Sequence, residues 1–551
     1  MVDLGTTSRS TVAGGDSTPA GSDPGVWLLT SAERGNPSTR LDRRHVGGVA
    51  WTTGNLVTPL VHGATYFAAL LRALQGTLAG DLVLFTDWRG DPDQLLAGPG
   101  TEISRVLCEA AARGVAVRGL VWRSHWDRFQ FSADENRHLG EEIIAAGGEC
   151  LLDMRVRPGG SHHQKYVVIR HPDRPHLDVA FAGGIDLCHS RQDDARHLGS
   201  PQRQSMAAVY GSRPPWHDVQ LQLRGPAVGD VETSFRERWE DRTPLSRNPF
   251  HRIRDVLLDG RKPLPAPLAD PAVEGPHTVQ VLRTYPPRRQ GYPFAPAGEA
   301  SIARGYVKAL ARARRLVYLE DQYLWSTEVV GAFAEALARE PDLRMIAVVP
   351  RHPDQDGRLS MPPNLVGRIQ AMRLLRAAGG DRFAVYSPEN HQGTPVYVHA
   401  KVCVVDDVWA CVGSDNVNRR SWTHDSELSC AVLDDTRDPR APLDPAGLGD
   451  HARAFARDLR LQLASEHLDT DRDDDLLDPV AAFEAFASSA DALDRWYRDG
   501  SVGPRPPGRL RRYAQPQLPR RTLRWAAPAY RAIYDPDGRP RGRRRPSSDP
   551  W

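Results

Sequence analysis

The chain presents the same succession of helix-like and strand-like segments twice, on either side of a proline-rich stretch at residues 263–276. The helix-like segments are 65–78, 101–113, 136–146, 300–313, 328–338 and 363–377. The strand-like segments that follow them are 81–88, 115–122, 150–155, 316–321, 343–349 and 383–386. Alternation of this kind is typical of an α/β sandwich or a doubly wound sheet. Its repetition predicts two similar α/β halves that share a site between them.

Shifts in composition divide the chain further. The predicted segments are a disordered N-terminal tail (1–40), a first domain (41–260), a linker (261–277), a second domain (278–467), a helical segment (468–500) and a basic tail (501–551). The tail carries 13 arginines against three aspartates and many prolines, which predicts a poorly folded basic arm. Such an arm is suited to an anionic membrane surface or to nucleic acid. The alternative is a solvated tail without a partner.

Composition excludes several other classes of protein. Hydrophobic residues make up 40% and charged residues 25% of the chain, as in globular proteins, and no run of 18 apolar residues occurs. The N-terminal 25 residues lack the apolar core of a secretory signal. The six cysteines are sparse and form no C-x-x-C pair, which argues against a zinc cluster and favours buried free thiols. These features predict a cytoplasmic protein.

Two His-x-Lys motifs stand at corresponding places in the two halves. The first is His163 and Lys165 in SHHQKYVVIRHPD, and the second is His399 and Lys401 in VYVHAKVCVVDD. Lysine is rare here, with four among 71 basic residues, so two lysines at matching positions are informative. Side chains two residues apart in a strand project to one face. Each motif therefore presents an imidazole beside an ammonium group, and the two motifs together would surround one small space.

Two imidazoles and two ammonium groups suit a phosphodiester. The ammonium groups stabilise negative charge on phosphoryl oxygens as it develops. One neutral imidazole can attack phosphorus and form a covalent intermediate. The other can protonate the leaving alkoxide and then activate water. No metal or other cofactor is expected, because the lysines supply the positive charge.

A glycine turn and polar residues follow each motif. The first is GGIDLC, which includes Gly184 and Asp186, and the second is GSDN, which includes Ser414 and Asn416. Small residues allow the backbone to approach a phosphate closely, and Ser414 and Asn416 can donate hydrogen bonds to its oxygens.

With these motifs the chain resembles the phospholipase D superfamily, whose mark is a duplicated HxKxxxxD followed by G-[GS]-x-[ND]. It is most similar to the eukaryotic-type phospholipases D. The segments that match that group are PPWHDVQLQLRGP, RERWE, YLEDQYLW, GGIDLC and DSEL. The resemblance covers about residues 45–435. It implies two tandem phospholipase D-like α/β/α sandwich domains, with the active site at their pseudo-twofold interface.

The resemblance also implies roles for the site residues. His163 would be the nucleophile and His399 the general acid, each oriented by a carboxylate from the other half. The matching carboxylates are Glu427 for His163 and Asp218 for His399, with Asp425 as the rival of Glu427. The residues that would hold the phosphate are Lys165, Lys401, Ser414, Asn416 and Gly184.

One position departs from the family pattern. Seven residues after His399 stands the expected Asp406, but the first motif has Arg170 at that place. An odd spacing turns this side chain away from the His/Lys face, so we expect Asp406 to support the structure and not the chemistry. Asp186 is assigned a similar supporting role. Asp173, just beyond Arg170, is a candidate substitute in the first motif.

The leading prediction is an enzyme that hydrolyses glycerophospholipids at a membrane surface to phosphatidic acid and a head-group alcohol. An alcohol in place of water would give head-group exchange. The alternatives are a cardiolipin or phosphatidylserine synthase-like phosphatidyltransferase, a nuclease of the same superfamily, and a degenerate binding scaffold. The WHD, GGIDLC and DSEL segments disfavour a nucleic-acid substrate, and the intact histidines and lysines disfavour the scaffold. The sequence supports no prediction of an oligomeric state.

Overall fold

A computed structural model describes residues 23–124, 133–246, 248–258, 263–357, 360–540 and 551. Its strands are β1 Thr52–Val61, β2 Leu82–Asp87, β3 Ala116–Trp122, β4 Glu149–Asp153, β5 Tyr166–Arg170, β6 Val179–Gly183, β7 Trp216–His217, β8 Val219–Arg224, β9 His277–Tyr285, β10 Glu299–Ala300, β11 Leu316–Glu320, β12 Arg344–Val348, β13 Phe383–Pro388, β14 Tyr397–Val398, β15 Val402–Val405, β16 Trp409–Gly413, β17 Glu427–Asp434 and β18 Leu510–Arg512. Its helices are α1 Ser31–Arg34, α2 Gly63–Gln75, α3 Ile103–Ala112, α4 Ala133–Ala145, α5 Ala227–Trp239, α6 Pro249–Leu258, α7 Ser301–Arg312, α8 Thr327–Arg339, α9 Met361–Gly379, α10 Arg419–Thr423, α11 Ala454–Leu468, α12 Pro479–Arg498 and α13 Arg520–Ala529.

A single sheet passes through both halves of the described chain, and its strand order shows the duplication. Outward from the centre, the first half runs β1-β8-β6-β5-β2-β3-β4 and the second runs β9-β17-β16-β15-β11-β12-β13. In each half the last three strands are parallel and the others pair antiparallel. The halves join where β1 pairs with β9. The predicted fold class, an α/β fold of two tandem domains, is confirmed.

Helices cover both faces of this sheet. Both faces need a cover because successive residues of a strand point to opposite faces and both are apolar here. In β2, Val83 packs under helices α2–α4, and Leu84 points to the other face. Helices α7–α9 cover the matching face of the second half. On the opposite face, α5, α11 and α12 pack over one hydrophobic core that extends across both halves. All six cysteines are free thiols, and five of them are buried.

The N-terminal region is folded from residue 23, so the prediction of a disordered tail over 1–40 is wrong for residues 23–40. Thr30 and Glu33 form a reciprocal capping box at the start of α1. The Arg34 side chain is buried and forms ion pairs with Asp42 at 2.8 Å and Glu299 at 3.0 Å. Residues 1–22 lie outside the described chain.

The basic tail is also folded over residues 501–540, so the prediction of a poorly folded arm is wrong there. Strand β18 pairs antiparallel with β13, and α13 continues into a π-helical turn, Tyr530–Tyr534, that packs against α9. Four of the arginines that suggested an arm instead pair with acids of the fold: Arg505, Arg509, Arg511 and Arg512. The run Arg543 to Arg545 lies outside the described residues. No helix among the described residues is both long and apolar enough to span a membrane.

Candidate active site

The first His-x-Lys motif lies immediately before β5 and is held by the second half of the chain. The backbone N–H of His163 donates to the carbonyl of Ser426 at 2.9 Å. Its ring Nδ1 lies 2.9 Å from Oε2 of Glu427, at the start of β17. Lys165 folds back so that its Nζ donates to the carbonyl of His163 at 2.8 Å and lies 3.3 Å from Asp186.

The second motif repeats this arrangement between β14 and β15. The backbone N–H of His399 donates to the carbonyl of His217 at 2.8 Å. Its ring Nδ1 lies 2.7 Å from Oδ2 of Asp218, and the Lys401 ammonium donates to the carbonyl of His399. The parallel pairing of β14 with β7 sets this register, because it places Val398 opposite His217. Each predicted catalytic histidine thus contacts the carboxylate predicted for it from the opposite half.

Asp425, the rival of Glu427, occupies a different place. Its carboxylate accepts hydrogen bonds from the backbone and hydroxyl of Ser161 and from Arg420. It therefore anchors the loop that precedes His163 and does not touch the imidazole ring in this arrangement.

The two motifs share one electrostatic environment. Burial and both motif lysines hold the pKa of His163 well below its usual value. Burial and Lys401, with smaller contributions from Arg191 and Lys165, hold the pKa of His399 well below its usual value too. The lysine side chains are almost fully buried, whereas the imidazoles retain 15% exposure at His163 and 7% at His399. The lysines are therefore buried, and the imidazoles are the more exposed groups of the two motifs.

Burial also shifts the supporting groups towards neutrality. It raises the pKa of Glu427 to about 8, with Asp425 adding to the effect, and it raises the pKa of Asp218. It lowers the pKa of Lys401 to about 8. A neutral imidazole with its Nδ1 directed at a carboxyl group leaves the lone pair of Nε2 free, which is the state a nucleophilic histidine requires.

Two of the predicted phosphate-binding residues, Ser414 and Gly184, lie against the carboxylates that contact the histidines. Ser414 Oγ donates to Oε2 of Glu427 at 2.6 Å, so this hydroxyl proton is directed at the carboxylate. Asn416 is 97% buried, and its Oδ1 has no hydrogen-bond partner among the described residues. Gly184 has a packing requirement, because an added Cβ would lie 2.3 Å from Oδ1 of Asp218. Glycine here makes room for the carboxylate that contacts His399.

Asp406 and Arg170 occupy corresponding positions with opposite charge. Asp406 accepts hydrogen bonds from three consecutive backbone N–H groups, Arg314 to Leu316, at 2.7–2.8 Å. It points away from the motif face and supports the start of β11, as its odd spacing predicted. Arg170 is fully buried and forms ion pairs with Asp178 at 2.8 Å and with Glu232.

Asp173 does not replace the missing aspartate, because it lies exposed on the loop after β5. Asp186, by contrast, lies inside the site, between Lys165 and Arg191. Burial and Asp186 together raise the pKa of the neighbouring Asp87 well above its usual value, whereas Lys165 and Arg191 outweigh burial and lower the pKa of Asp186.

The structure adds site residues that the sequence did not single out as participants. The Arg191 guanidinium stacks 4.0 Å from the centre of the Trp216 ring, which itself lies 5.0 Å from the ring of His399. Trp88 lies 6.1 Å from the ring of His163 in an edge-on arrangement. Each imidazole therefore rests against one tryptophan. Trp216 belongs to the WHD segment, but no periodicity or spacing pointed to Trp88 or Arg191.

Comparisons with known proteins agree with this geometry. Two family models match the chain: "Phospholipase D" over residues 149–259 and "Cardiolipin synthase, PLD-like domain" over residues 306–438. Phospholipase D alpha 1 of Cynara cardunculus is 25% identical over 62% of this chain and 56% of its own length. Phospholipase D1 of Saccharomyces cerevisiae is 24% identical over 75% of this chain and 29% of its own length. The chain thus spans little more than half of the plant relative's length.

Among solved structures, phosphatidylserine synthase of Haemophilus influenzae matches 69% of this chain and 82% of its own length, with 13% identity and a TM-score of 0.48.

Proposed function

The chain belongs to the phospholipase D superfamily, and we propose that it cleaves glycerophospholipids to phosphatidic acid and a head-group alcohol in two steps. The observation that carries the proposal is the crossed arrangement of the two motifs. The Nδ1 atom of each imidazole contacts a carboxyl group of the other half, at 2.9 Å for His163 and 2.7 Å for His399. Two buried ammonium groups lie in the same motifs. This is the arrangement that transfer of a phosphatidyl group to a histidine and then to water needs.

In the first step Nε2 of His163 attacks phosphorus, and the bond from phosphorus to the head-group oxygen breaks. His399 donates its Nε2 proton to the leaving oxygen, and Asp218 supports the imidazolium before transfer. Lys165 and Lys401 stabilise the negative charge on the phosphoryl oxygens. The substrate's own negative charge offsets the two ammonium groups, which favours the protonated state of His399 that the step requires.

In the second step a water molecule occupies the place that the head group has left. His399, now neutral, accepts a proton from this water as its oxygen attacks phosphorus. The P–N bond to His163 breaks and phosphatidic acid leaves. Both histidines then return to their starting protonation states, so protons and charge balance over the cycle.

The test is incubation of the protein with phosphatidylcholine in water and in dilute ethanol. Phosphatidic acid in water and phosphatidylethanol in ethanol support the proposal, since a covalent phosphatidyl intermediate partitions between the two acceptors. His163→Ala is the matched control that must form neither product. Absence of both products from all glycerophospholipids offered would contradict the proposal.

A second candidate is phosphatidyl transfer to an alcohol as the main reaction. Its support is the match of the second half to a family model described as "Cardiolipin synthase, PLD-like domain". Offering phosphatidylglycerol alone separates the two functions. A synthase would produce cardiolipin and glycerol, whereas a hydrolase would produce phosphatidic acid and glycerol. Hydrolysis of single-stranded DNA in place of lipid would instead favour a nuclease.

Attachment to an anionic membrane surface is the remaining part of the proposal. Its support is the run Arg543 to Arg545, since each basic residue near an anionic leaflet contributes about 1 kcal/mol. Replacing the three arginines with serine should weaken sedimentation with phosphatidylserine vesicles at low salt and leave sedimentation with phosphatidylcholine vesicles unchanged. Equal sedimentation of the variant and the parent with anionic vesicles would contradict a membrane role for this run.

A further inference from the structure

Behind the second motif lies a group of buried histidine and glutamate side chains that the proposed reaction does not use. Three histidines come from the first half: His62 at the end of β1, His197 in the loop after β6, and His217 in β7. Glu466, on α11 of the second half, reaches into the space between them. The four residues are separated by up to 404 positions in sequence, and the fold alone brings them together.

The donor atoms converge on a small volume. Nε2 of His62 and Nε2 of His197 lie 2.7 Å and 2.9 Å from the Glu466 carboxylate, and Nδ1 of His217 lies 3.5 Å from it. One ligand atom from each of the four residues lies within 4.8 Å of every other. A tetrahedral ion with bonds of about 2.0–2.1 Å needs such atoms roughly 3.4 Å apart, so small side-chain movements bring all four into range.

The outward-facing nitrogens of two of these rings have acceptors of the kind that metal-bound histidines use. Nδ1 of His197 lies 3.1 Å from the carbonyl oxygen of Trp216. Nε2 of His217 lies 2.7 Å from the carboxylate of Glu320, which also accepts from Tyr318 and contacts His467. These partners place the N–H on the outer nitrogen and direct the other nitrogen towards Glu466.

The three rings are buried and crowded around a single carboxylate. His62, His197 and His217 are 96–100% buried, and their ring centres lie 4.8–5.5 Å apart. One carboxylate has to serve three imidazole nitrogens, and the third contact is long. His62 also has a φ of +69°, a conformation that non-glycine residues rarely adopt and that the surrounding structure must impose. Backbone strain at a buried histidine indicates that the position of its ring matters.

We propose that His62, His197, His217 and Glu466 form a site for a divalent transition-metal ion, with Zn²⁺ the best match to three imidazole nitrogens and one carboxylate. The ion would join the first half to α11 of the second half. It would also fix His217, whose backbone carbonyl accepts the N–H of His399, and so hold the second motif in register. Its role is to position the motif, and no step of the proposed reaction passes through it. Solvent reaches the cluster at the Glu466 side chain, which retains 12% exposure.

The test measures metal content and does not depend on enzyme activity. The full-length protein is stripped with a chelator, dialysed, exposed to a small excess of Zn²⁺, freed of unbound ion and analysed by mass spectrometry of the metal. We expect one Zn²⁺ per chain and a higher melting temperature than the stripped protein. X-ray absorption of the bound ion should show that its nearest neighbours are nitrogen and oxygen atoms, without sulfur.

Variants show whether these residues hold the ion. Glu466→Gln and His62→Gln, which keep polar side chains of similar size, should retain less than about a tenth of the parent's zinc. His391→Gln is the matched control, because His391 is an exposed histidine paired with Asp469 outside the cluster. It should bind one ion. A stripped parent protein that takes up no Zn²⁺, or full zinc binding by both cluster variants, would overturn the proposal.

Discussion

The two halves of the site place their imidazoles in the same way and support them differently. His163 contacts Glu427, which is held by the hydroxyl of Ser414, whereas His399 contacts the shorter Asp218. At the place that corresponds to Ser414, the first half has Gly184, where a side chain would collide with Asp218. The chemistry thus constrains the imidazole, the ammonium and the crossed carboxylate, while the contacts that hold them can differ.

The largest expected effects come from the two histidines and reveal whether their roles differ. His163→Ala and His399→Ala should each lower turnover of phosphatidylcholine by about 10⁴-fold, because each removes a group that acts in both steps. A substrate in which p-nitrophenol replaces the head-group alcohol distinguishes the roles of the two histidines. Its leaving group departs without a proton, so His399→Ala should still release a burst of one equivalent of nitrophenol, while His163→Ala should release none.

The nitrophenol burst thus tests the assignment of nucleophile and acid directly. The inverse pattern, a burst from His163→Ala and none from His399→Ala, would exchange the two roles. Mass spectrometry of the trapped intermediate should place the added phosphatidyl group on the peptide that contains His163.

Substitution of the two motif lysines should have the next largest effect on turnover. Lys165→Met and Lys401→Met should each lower kcat by about 10²–10³-fold, as removal of one charge-stabilising donor does elsewhere. Since burial lowers the pKa of Lys401 to about 8, its ammonium loses a proton above that pH, and kcat/KM should fall with unit slope there. Glu427→Gln is the control, because the pKa of Glu427 is also about 8. The alkaline limb should persist in this variant, and its loss would assign the limb to Glu427.

Much of this comparison could be predicted from the sequence, because the motifs are local. Each motif has its histidine two residues before its lysine, His163 before Lys165 and His399 before Lys401, at the start of an apolar run. Strand geometry alone places the two side chains of each motif on one face. The alternation of helices and strands likewise gave the fold class. Pairing of the crossed carboxylates came from a resemblance, since no spacing rule relates residues 264 positions apart.

What the sequence missed depends on packing between distant segments. Arg191 and Trp88 lie in the site only because the fold brings loops from separate strands together. The basic tail was misjudged because composition does not show that Arg511 and Arg512 meet Asp494 and Asp491 on the surface of α12. Local charge counts cannot report ion pairs that form only in three dimensions.

The contrast between Arg170 and Asp406 gives a prediction about stability. Arg170→Met would remove the buried cation that joins Asp178 to Glu232, leaving only His171 beside Asp178 and Arg236 beside Glu232. We expect it to lower the free energy of unfolding by about 3–5 kcal/mol. Arg224→Met is the control, because Arg224, at the end of β8, forms a partly exposed ion pair with Glu274. This substitution should cost about 0–1 kcal/mol. Urea denaturation measures both. Equal losses in the two variants would show that Arg170 does not hold the first half together.

Asp406→Ala should lower the free energy of unfolding by an amount between those of Arg170→Met and Arg224→Met. It leaves the backbone N–H groups of Arg314 to Leu316 without their acceptor, at a cost of about 1–3 kcal/mol. Because Asp406 points away from the histidines, kcat of the folded variant should remain within about twofold of the parent. A fall in kcat as large as that of Lys401→Met would give Asp406 a part in the chemistry, contrary to its position.

The smallest effect should come from the Ser414 hydroxyl, and it tests whether the two halves need unequal support. Ser414→Ala removes one hydrogen bond to Glu427, worth about 0.5–1.5 kcal/mol, so kcat should fall by roughly 2- to 12-fold with little change in KM. If Ser414 instead binds the phosphate in the ground state, KM should rise and kcat should remain unchanged.

The matched change in the other half, Gly184→Ala, forces Asp218 away from its place and should lower kcat more than Ser414→Ala does. A smaller loss for Gly184→Ala would mean that Asp218 can move without releasing His399, and the crossed carboxylates would then matter less for the second motif than for the first.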